Sequence, residues 1–187
     1  MTMAISQEAV LLLIDVQDGM DDPAWGARNN PDAEMNMVRL LTAWRETGRP
    51  VYHVKHNSVM PHSPLRPDRS GNVIKAIVQP QDGEPLFEKT VNSAFIGTEL
   101  EKRLRDNGYE TLVIVGLTTQ HCVSTTTRMA GNLGFETYLV SDGTAAFELT
   151  RNGRRFSAEH IHDTALAMLD GEFATVVDTH TILSTLA

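Results

Sequence analysis

Cysteine occurs once in the 187 residues, as Cys122. No intrachain disulfide can form and no cysteine-rich zinc site exists. Basic residues are also scarce: 16 Lys and Arg stand against 24 Asp and Glu, a net charge of -8. A nucleic-acid partner requires a basic face to neutralise phosphates, and an anionic membrane surface makes the same demand. Neither partner is expected. Long apolar runs are lacking too. The longest, Ala9 to Ile14, falls far short of the ~20 residues that cross a bilayer. Met1-Thr2-Met3-Ala4-Ile5-Ser6-Gln7-Glu8 has neither a basic region nor a small-residue cleavage site, so it does not read as a secretory leader. A cytoplasmic protein is expected, and a lone thiol there is either inert packing or a nucleophile.

Hydrophobic residues make up 41% of the chain and charged residues 21%, enough to fill a core. No repeat, low-complexity tract or linker divides it, so residues 1–187 are expected to form a single domain. Ala9 to Ile14 reads as a strand buried on both faces, the kind found in parallel sheets. After the polar loop Gln17 to Asn30, the apolar stripe Met37, Leu40, Leu41 and Trp44 predicts a helix. Asn30 or Asp32 suits its N-cap, Pro31 its first turn and Gly48 its C′ position. Pro50 to Val54 is the second strand. Asn57 to Glu84 is a long loop, regular only over Val73 to Val78, and loops of this length tend to shape a binding site.

Leu86 to Lys89 is a short strand. Ile96, Leu100 and Leu104 then mark a helix ending at Asn107-Gly108. Thr111 to Gly116 is a buried strand followed by a helix from Cys122 to Asn132 or Gly134. Thr137 to Val140 is a strand closed by Ser141-Asp142-Gly143. The polar stretch Thr150 to Arg155 leads to a helix capped by Ser157, with the stripe Ile161, Ala165, Met168 and Leu169. Phe173 to Val177 is a last strand, and Asp178 caps a last helix. This alternation predicts an α/β fold: a three-layer αβα sandwich around a mostly parallel sheet of about six strands.

Ligands of open α/β sheets sit beyond the carboxyl ends of the strands. Asp15 ends the first strand, Lys89 ends a middle one, and Cys122 opens the helix after Thr111–Gly116, so all three should face one crevice. A thiol at a helix N-terminus near a lysine can ionise well below its usual pKa of ~8.5. A carboxylate against an apolar wall is partly desolvated, which raises its pKa and suits a general base. Lys89 would stabilise both anions. Taken alone, each has a plainer reading: a small core thiol, a loop-capping aspartate, a solvated lysine. His53 and His56 suggest a metal, but residues three apart on a strand face opposite sides, and no aspartate precedes either by two. No metal and no cofactor are expected. His56 at the strand end can contact substrate. His121, adjacent to Cys122, is poorly placed as its base. Thr125, Thr126 and Thr127 read as helix threonines bonded to backbone carbonyls.

Three stretches together resemble the isochorismatase-like cysteine hydrolases: Leu13-Ile14-Asp15-Val16-Gln17, Glu88-Lys89-Thr90-Val91-Asn92-Ser93-Ala94-Phe95 and Gly116-Leu117-Thr118-Thr119-Gln120-His121-Cys122-Val123. Their order and spacing agree over nearly the whole chain. The resemblance implies a catalytic triad of Asp15, Lys89 and Cys122, and a cis peptide between Leu117 and Thr118. It also implies an oxyanion hole from the backbone N–H groups of Thr118 and Cys122, and assembly into a homo-oligomer (dimer or tetramer). Many members carry Asp or Asn where this chain has Gln120. The Asp-x-His metal pattern of nicotinamidases is missing from Val54-Lys55-His56-Asn57-Ser58. Cys122 to Ala130 and Pro64-Leu65-Arg66-Pro67 are similar to the streptothricin-hydrolase subgroup.

The expected function is hydrolysis of a C–N bond (amide, lactam or carbamoyl) in a small molecule through a thioester. Gln17, Trp25, His56, Asn92 and Phe95 are expected to contact substrate, and the loops 17–30, 57–84 and 145–156 to line or cover its pocket. Two alternatives are vinyl-ether hydrolysis with Asp15 as acid and Cys122 a bystander, and a non-catalytic binding role. A phosphate-accepting receiver domain fits less well, because its acceptor aspartate would lie where this chain has Lys89 or Gly116.

Overall fold

The computed structural model describes residues 5–186; the first four residues of the Met1–Glu8 stretch read for a leader lie outside them. In chain order the elements are β1 (Val10–Ile14), α1 (Ala33–Glu46), β2 (Val51–His56), β3 (Leu86–Lys89), α2 (Leu100–Asp106), β4 (Thr111–Leu117) and α3 (Ser124–Asn132). They continue with β5 (Glu136–Ala145), β6 (Leu149–Arg151), β7 (Arg154–Phe156), α4 (Ala158–Ala167), β8 (Thr175–Val177) and α5 (Thr179–Ser184). The main sheet has six strands in the order β3-β2-β1-β4-β5-β8, all parallel. The chain reverses direction of travel across the sheet between β1 and β4, and that switch point opens a crevice at the carboxyl ends of those two strands.

Alternation along the central strands feeds two cores. Leu11 and Leu13 of β1 join Val113, Val115 and Leu117 of β4 under α1 and α5, with Met37, Leu40, Leu41, Trp44 and Ile182. Val10, Leu12 and Ile14 join Leu112 and Ile114 under α2 and α3, with Leu100, Leu104 and Ala130. These are the three expected layers. The Trp44 indole N–H donates to the Ala9 carbonyl at 2.9 Å, so the largest core side chain also satisfies its polar atom.

Several boundaries differ from the expectations. Asp32 holds the N-cap position of α1 without a side-chain bond, while the Asn30 amide donates to Ser141 O and Thr144 O. Ile96 is exposed ahead of α2. β5 does not close at 141–143. It runs on through a register shift opposite β4, because Asp142 accepts from Thr179 at the start of α5 and Ser141 donates to Val177 O. The stretch 150–155 is a hairpin, β6–β7, turned by Asn152-Gly153 with both residues at positive φ, a pair suited to that geometry. The α4 stripe is also misassigned: Met168 is exposed beyond the helix, Ile161 and Ala165 are half-buried, and the buried side chains of the helix are Ala158 and His162. The region 73–78 holds a short 3-10 turn rather than a longer element.

A buried ion network ties the loop after β1 to α1. Glu34 accepts from Arg28 at 2.7 and 2.8 Å and from Lys75 at 2.9 Å, and Lys75 also reaches Asp21 at 2.5 Å. Burial would push the Glu34 carboxyl up, but the bonds from Arg28 and Lys75 outweigh it and hold it at about 2. A depressed carboxyl pKa contributes stability that is present above its ordinary 4.5 and lost as pH falls towards 2. Glu34→Gln is therefore expected to lower stability by about 3 kcal/mol at neutral pH. The gap to the native protein should narrow as pH drops through that window, as read by urea unfolding at a series of pH values.

Candidate active site

Asp15 leaves β1 with φ of 52°, a left-handed conformation costly for a side chain other than glycine and held here by its surroundings. Its N–H donates to Val54 O, and Gly116 lies beside it on β4. A Cβ on Gly116 would come within 2.1 Å of Ile14 O, so only glycine lets β4 approach the end of β1 this closely. Lys89, at the end of β3, extends over β2. Its ammonium lies 2.6 Å from Asp15 Oδ2 and 3.0 Å from His56 Nδ1. Neither the Asp15 nor the Lys89 side chain has any solvent exposure. Asp15 Oδ1 is buried with no hydrogen-bond partner of its own.

Cys122 does not open a plain α-helix. It lies in a single wide turn, Thr119–Val123, that leads into α3. The Leu117–Thr118 peptide before this turn is cis. Thr119 Oγ1 lies 2.9 Å from His162 Nδ1, and Gln120 reaches Phe147 O at 3.5 Å, so α4 and the 145–156 segment steady the turn. Thr127 donates to Val123 O, as expected of a helix threonine, whereas Thr126 accepts from Ala94 N and pins the 90–95 loop.

The donor atoms of Asp15, His56 and Cys122 lie within 4.8 Å of one another. Such a trio has metal-ligand types, but the Lys89 ammonium touches two of the three. The positive charge of Lys89 thus lies against this trio.

Titration behaviour departs from the sequence expectation at Cys122. Burial and the neighbouring Asp15 charge push the thiol up to about 12, against the smaller opposing pull of Lys89. The shift is thus opposite to the expected drop below a free thiol, first because the sulfur is buried and then because the Asp15 charge lies near it. Burial also raises Asp15, with Lys89 working in the opposite direction. Burial, followed by the Lys89 charge, lowers His56, whose ring is therefore neutral and accepts the lysine proton at Nδ1.

In front of the thiol lies a chamber of about 540 Å³. Trp25, His56, Asn92, Thr118 and Cys122 line it. Asp15 and Lys89 stand behind that wall. Gln17 is not a contact residue. It is fully buried, and its amide is spent on His56 N, His56 O and Asn72 O, fixing the end of β2. Phe95 is not one either: it is packed in the second core against Phe135, with ring centroids 5.9 Å apart. Sequence reasoning missed Met20, Ser58, Met60, Leu65 and His121 on the wall. The loops 17–30 and 57–84 were expected to line the pocket and contain Met20, Ser58, Met60 and Leu65, but loop length does not single out these side chains. Residues 58–65 form a closed arch, since Ser58 N donates to Leu65 O at 3.0 Å and Asn72 ties His56, Asn57 and Leu65 together.

Residues 9–181 match the Isochorismatase domain. YrdC of Bacillus subtilis (strain 168), an uncharacterized isochorismatase family protein, is 49% identical over 181 residues, covering 96% of this chain and 97% of its own. Streptothricin hydrolase of Streptomyces noursei is 28% identical over 172 residues, covering 91% of this chain and 65% of its own. The crystal structure of a hydrolase of the isochorismatase family from Chromobacterium violaceum ATCC 12472 has 46% identity and a TM-score of 0.95, covering 100% of this chain and 97% of that one. By its domain match and by relatives that share both its fold and its full length, the chain belongs to the isochorismatase family of hydrolases.

Proposed function

We propose that this protein is a cysteine hydrolase that cleaves a C–N bond, in an amide, lactam or carbamoyl group, of a small molecule. Asp15, Lys89 and Cys122 form its triad. The observation that carries the reading is the division of labour on one carboxylate. Oδ2 is held by Lys89 at 2.6 Å, while Oδ1 is buried without a partner beside the only thiol in the chain. A buried oxygen left unpaired costs stability, and accepting the Cys122 proton gives it a partner.

With the thiol at about 12, releasing its proton to neutral water would cost on the order of 7 kcal/mol. A preformed thiolate is therefore not the resting state. Asp15 Oδ1 takes the proton as Sγ bonds to the substrate carbonyl carbon, so charge separation and bond formation proceed together. The backbone N–H groups of Thr118 and Cys122 are the proposed donors to the oxyanion. The C–N bond then breaks, and the amine leaves with the proton held by Asp15. Water gives a proton to Asp15 and its oxygen to the thioester carbon. The C–S bond breaks, and the sulfur recovers that proton. Lys89 keeps its own protons throughout and holds Asp15 in place. Raised proton affinity on Asp15 narrows the gap to the thiol, which suits a proton that moves both ways. The described chain would act as one domain. Cytoplasmic placement, where a lone thiol stays reduced, and a homodimer or homotetramer belong to the same proposal.

Turnover of 4-nitroacetanilide, followed as released nitroaniline, tests the nucleophile. Cys122→Ala is expected to lower kcat at least about a thousandfold while unfolding at a temperature close to that of the native protein. Native rates in that variant would contradict covalent catalysis. Asp15→Asn separates base from thiol. Removing the carboxylate charge that opposes ionisation should lower the pH midpoint of Cys122 alkylation, yet abolish turnover. An unchanged or higher midpoint would contradict the electrostatic account.

A further inference from the structure

Resting on the hydrolase reading above, we infer the chemical class of its substrate: an uncharged amide with an apolar, planar body, against which carboxylate-bearing compounds are disfavoured. Among the described residues, no Lys, Arg, Asp or Glu side chain lines the chamber in front of Cys122. The two ions nearest to it, Asp15 and Lys89, are spent on each other and have no solvent exposure. His56 is lowered by burial and by Lys89, and desolvation lowers His121 too, so neither offers a cation at neutral pH. A substrate carboxylate entering here would give up its water for neutral donors such as Ser58, Asn92 and Thr118, with only His62 at the groove side left as a possible cation, and a buried charge without an opposite charge beside it is costly.

The field outside adds to that barrier. The groove adjoining the chamber shares His62, Ser63 and Pro64 with it and carries Asp18 and Asp22, with Asp21 paired to Lys75, beside Arg69. With a net charge of -8 overall, the approach repels anions.

The walls define the neutral body. Met20, Met60 and Leu65 supply apolar surface. Trp25 is held rigid, its N–H donating to Gly19 O at 2.8 Å and its ring stacked on Phe147 at 5.7 Å. The remaining face of that ring is a fixed flat wall, which favours a planar partner. At about 540 Å³, the chamber falls in the range of ~300–1,000 Å³ that takes drug-sized ligands. A very small amide would leave most of it empty, so a sizeable body on the acyl or the nitrogen side of the amide is expected to fill it.

Two measurements test the class. The first compares alkylation of Cys122 by iodoacetamide and iodoacetate, which differ in charge and share the reacting carbon, with glutathione as reference. The preference of Cys122 for the neutral reagent is expected to exceed that of glutathione by at least about tenfold. A preference equal to or below that of glutathione would overturn the inference. The second uses Cys122→Ala and reads tryptophan fluorescence on binding of acetanilide or 4-acetamidobenzoate. Acetanilide is expected to bind at least about tenfold more tightly, and Trp25→Ala in the same background to abolish the advantage. Equal or tighter binding of the anion, or no binding of either, would overturn the class. Should Cys122→Ala bind acetanilide selectively while keeping native turnover of 4-nitroacetanilide, the triad reading fails and the substrate class stands.

Discussion

An ammonium and a carboxylate with no solvent contact, 2.6 Å apart, govern the site. Two isolated charges in such a position would each cost several kcal/mol, and the pair survives only through close mutual contact. Everything around it serves that contact. The strand order sets β2 between β1 and β3, so Lys89 must cross one strand to reach Asp15, and His56 on that strand receives it from below. Gln17 and Asn72 lock the end of β2, and Gly116 admits β4 close enough for the turn bearing Cys122 to meet the free carboxylate oxygen.

This arrangement turns a resting thiolate into an unfavourable species. Burial and the Asp15 charge both keep the proton on sulfur, while Lys89 and the helix end favour its loss. The first pair wins. Under the proposed mechanism the thiol loses its proton only as its sulfur bonds to a substrate, which would protect a lone thiol from adventitious chemistry. The chamber follows the same economy: its only full charges are internal and neutralised, and its wall is apolar and rigid around Trp25.

Much of this was legible in the sequence, and the reasons are specific. Asp15 and Lys89 stand at strand ends that β-type runs mark clearly, and Gly116 to Val123 carries the turn and the cysteine in one stretch. The alternation of Leu11 and Leu13 with Val10, Leu12 and Ile14 gives a strand buried on both faces. Directions of side chains were not legible. Gln17 and Phe95 lie within a few residues of the site, but one turns back to fix a strand and the other enters the core. The direction of the thiol shift was misjudged because it depends first on burial of the sulfur and then on the nearness of Asp15, neither of which local pattern contains. The hairpin at 149–156 had a signal, Asn152-Gly153, masked by the charged residues around it. Of the stripe Ile161, Ala165, Met168 and Leu169, only Leu169 is fully buried, two are half-buried and Met168 is exposed, since periodicity identifies a stripe and not what covers it.

The central claim is that Cys122 rests as a thiol held by the Asp15–Lys89 pair. The S–H stretching band in the infrared spectrum tests it most directly, because one cysteine makes the assignment unique. The account predicts that the band persists at about pH 9, above the ~8.5 at which a free thiol is half ionised. Its loss already at neutral pH would mean a preformed thiolate, and would contradict the role given to Asp15.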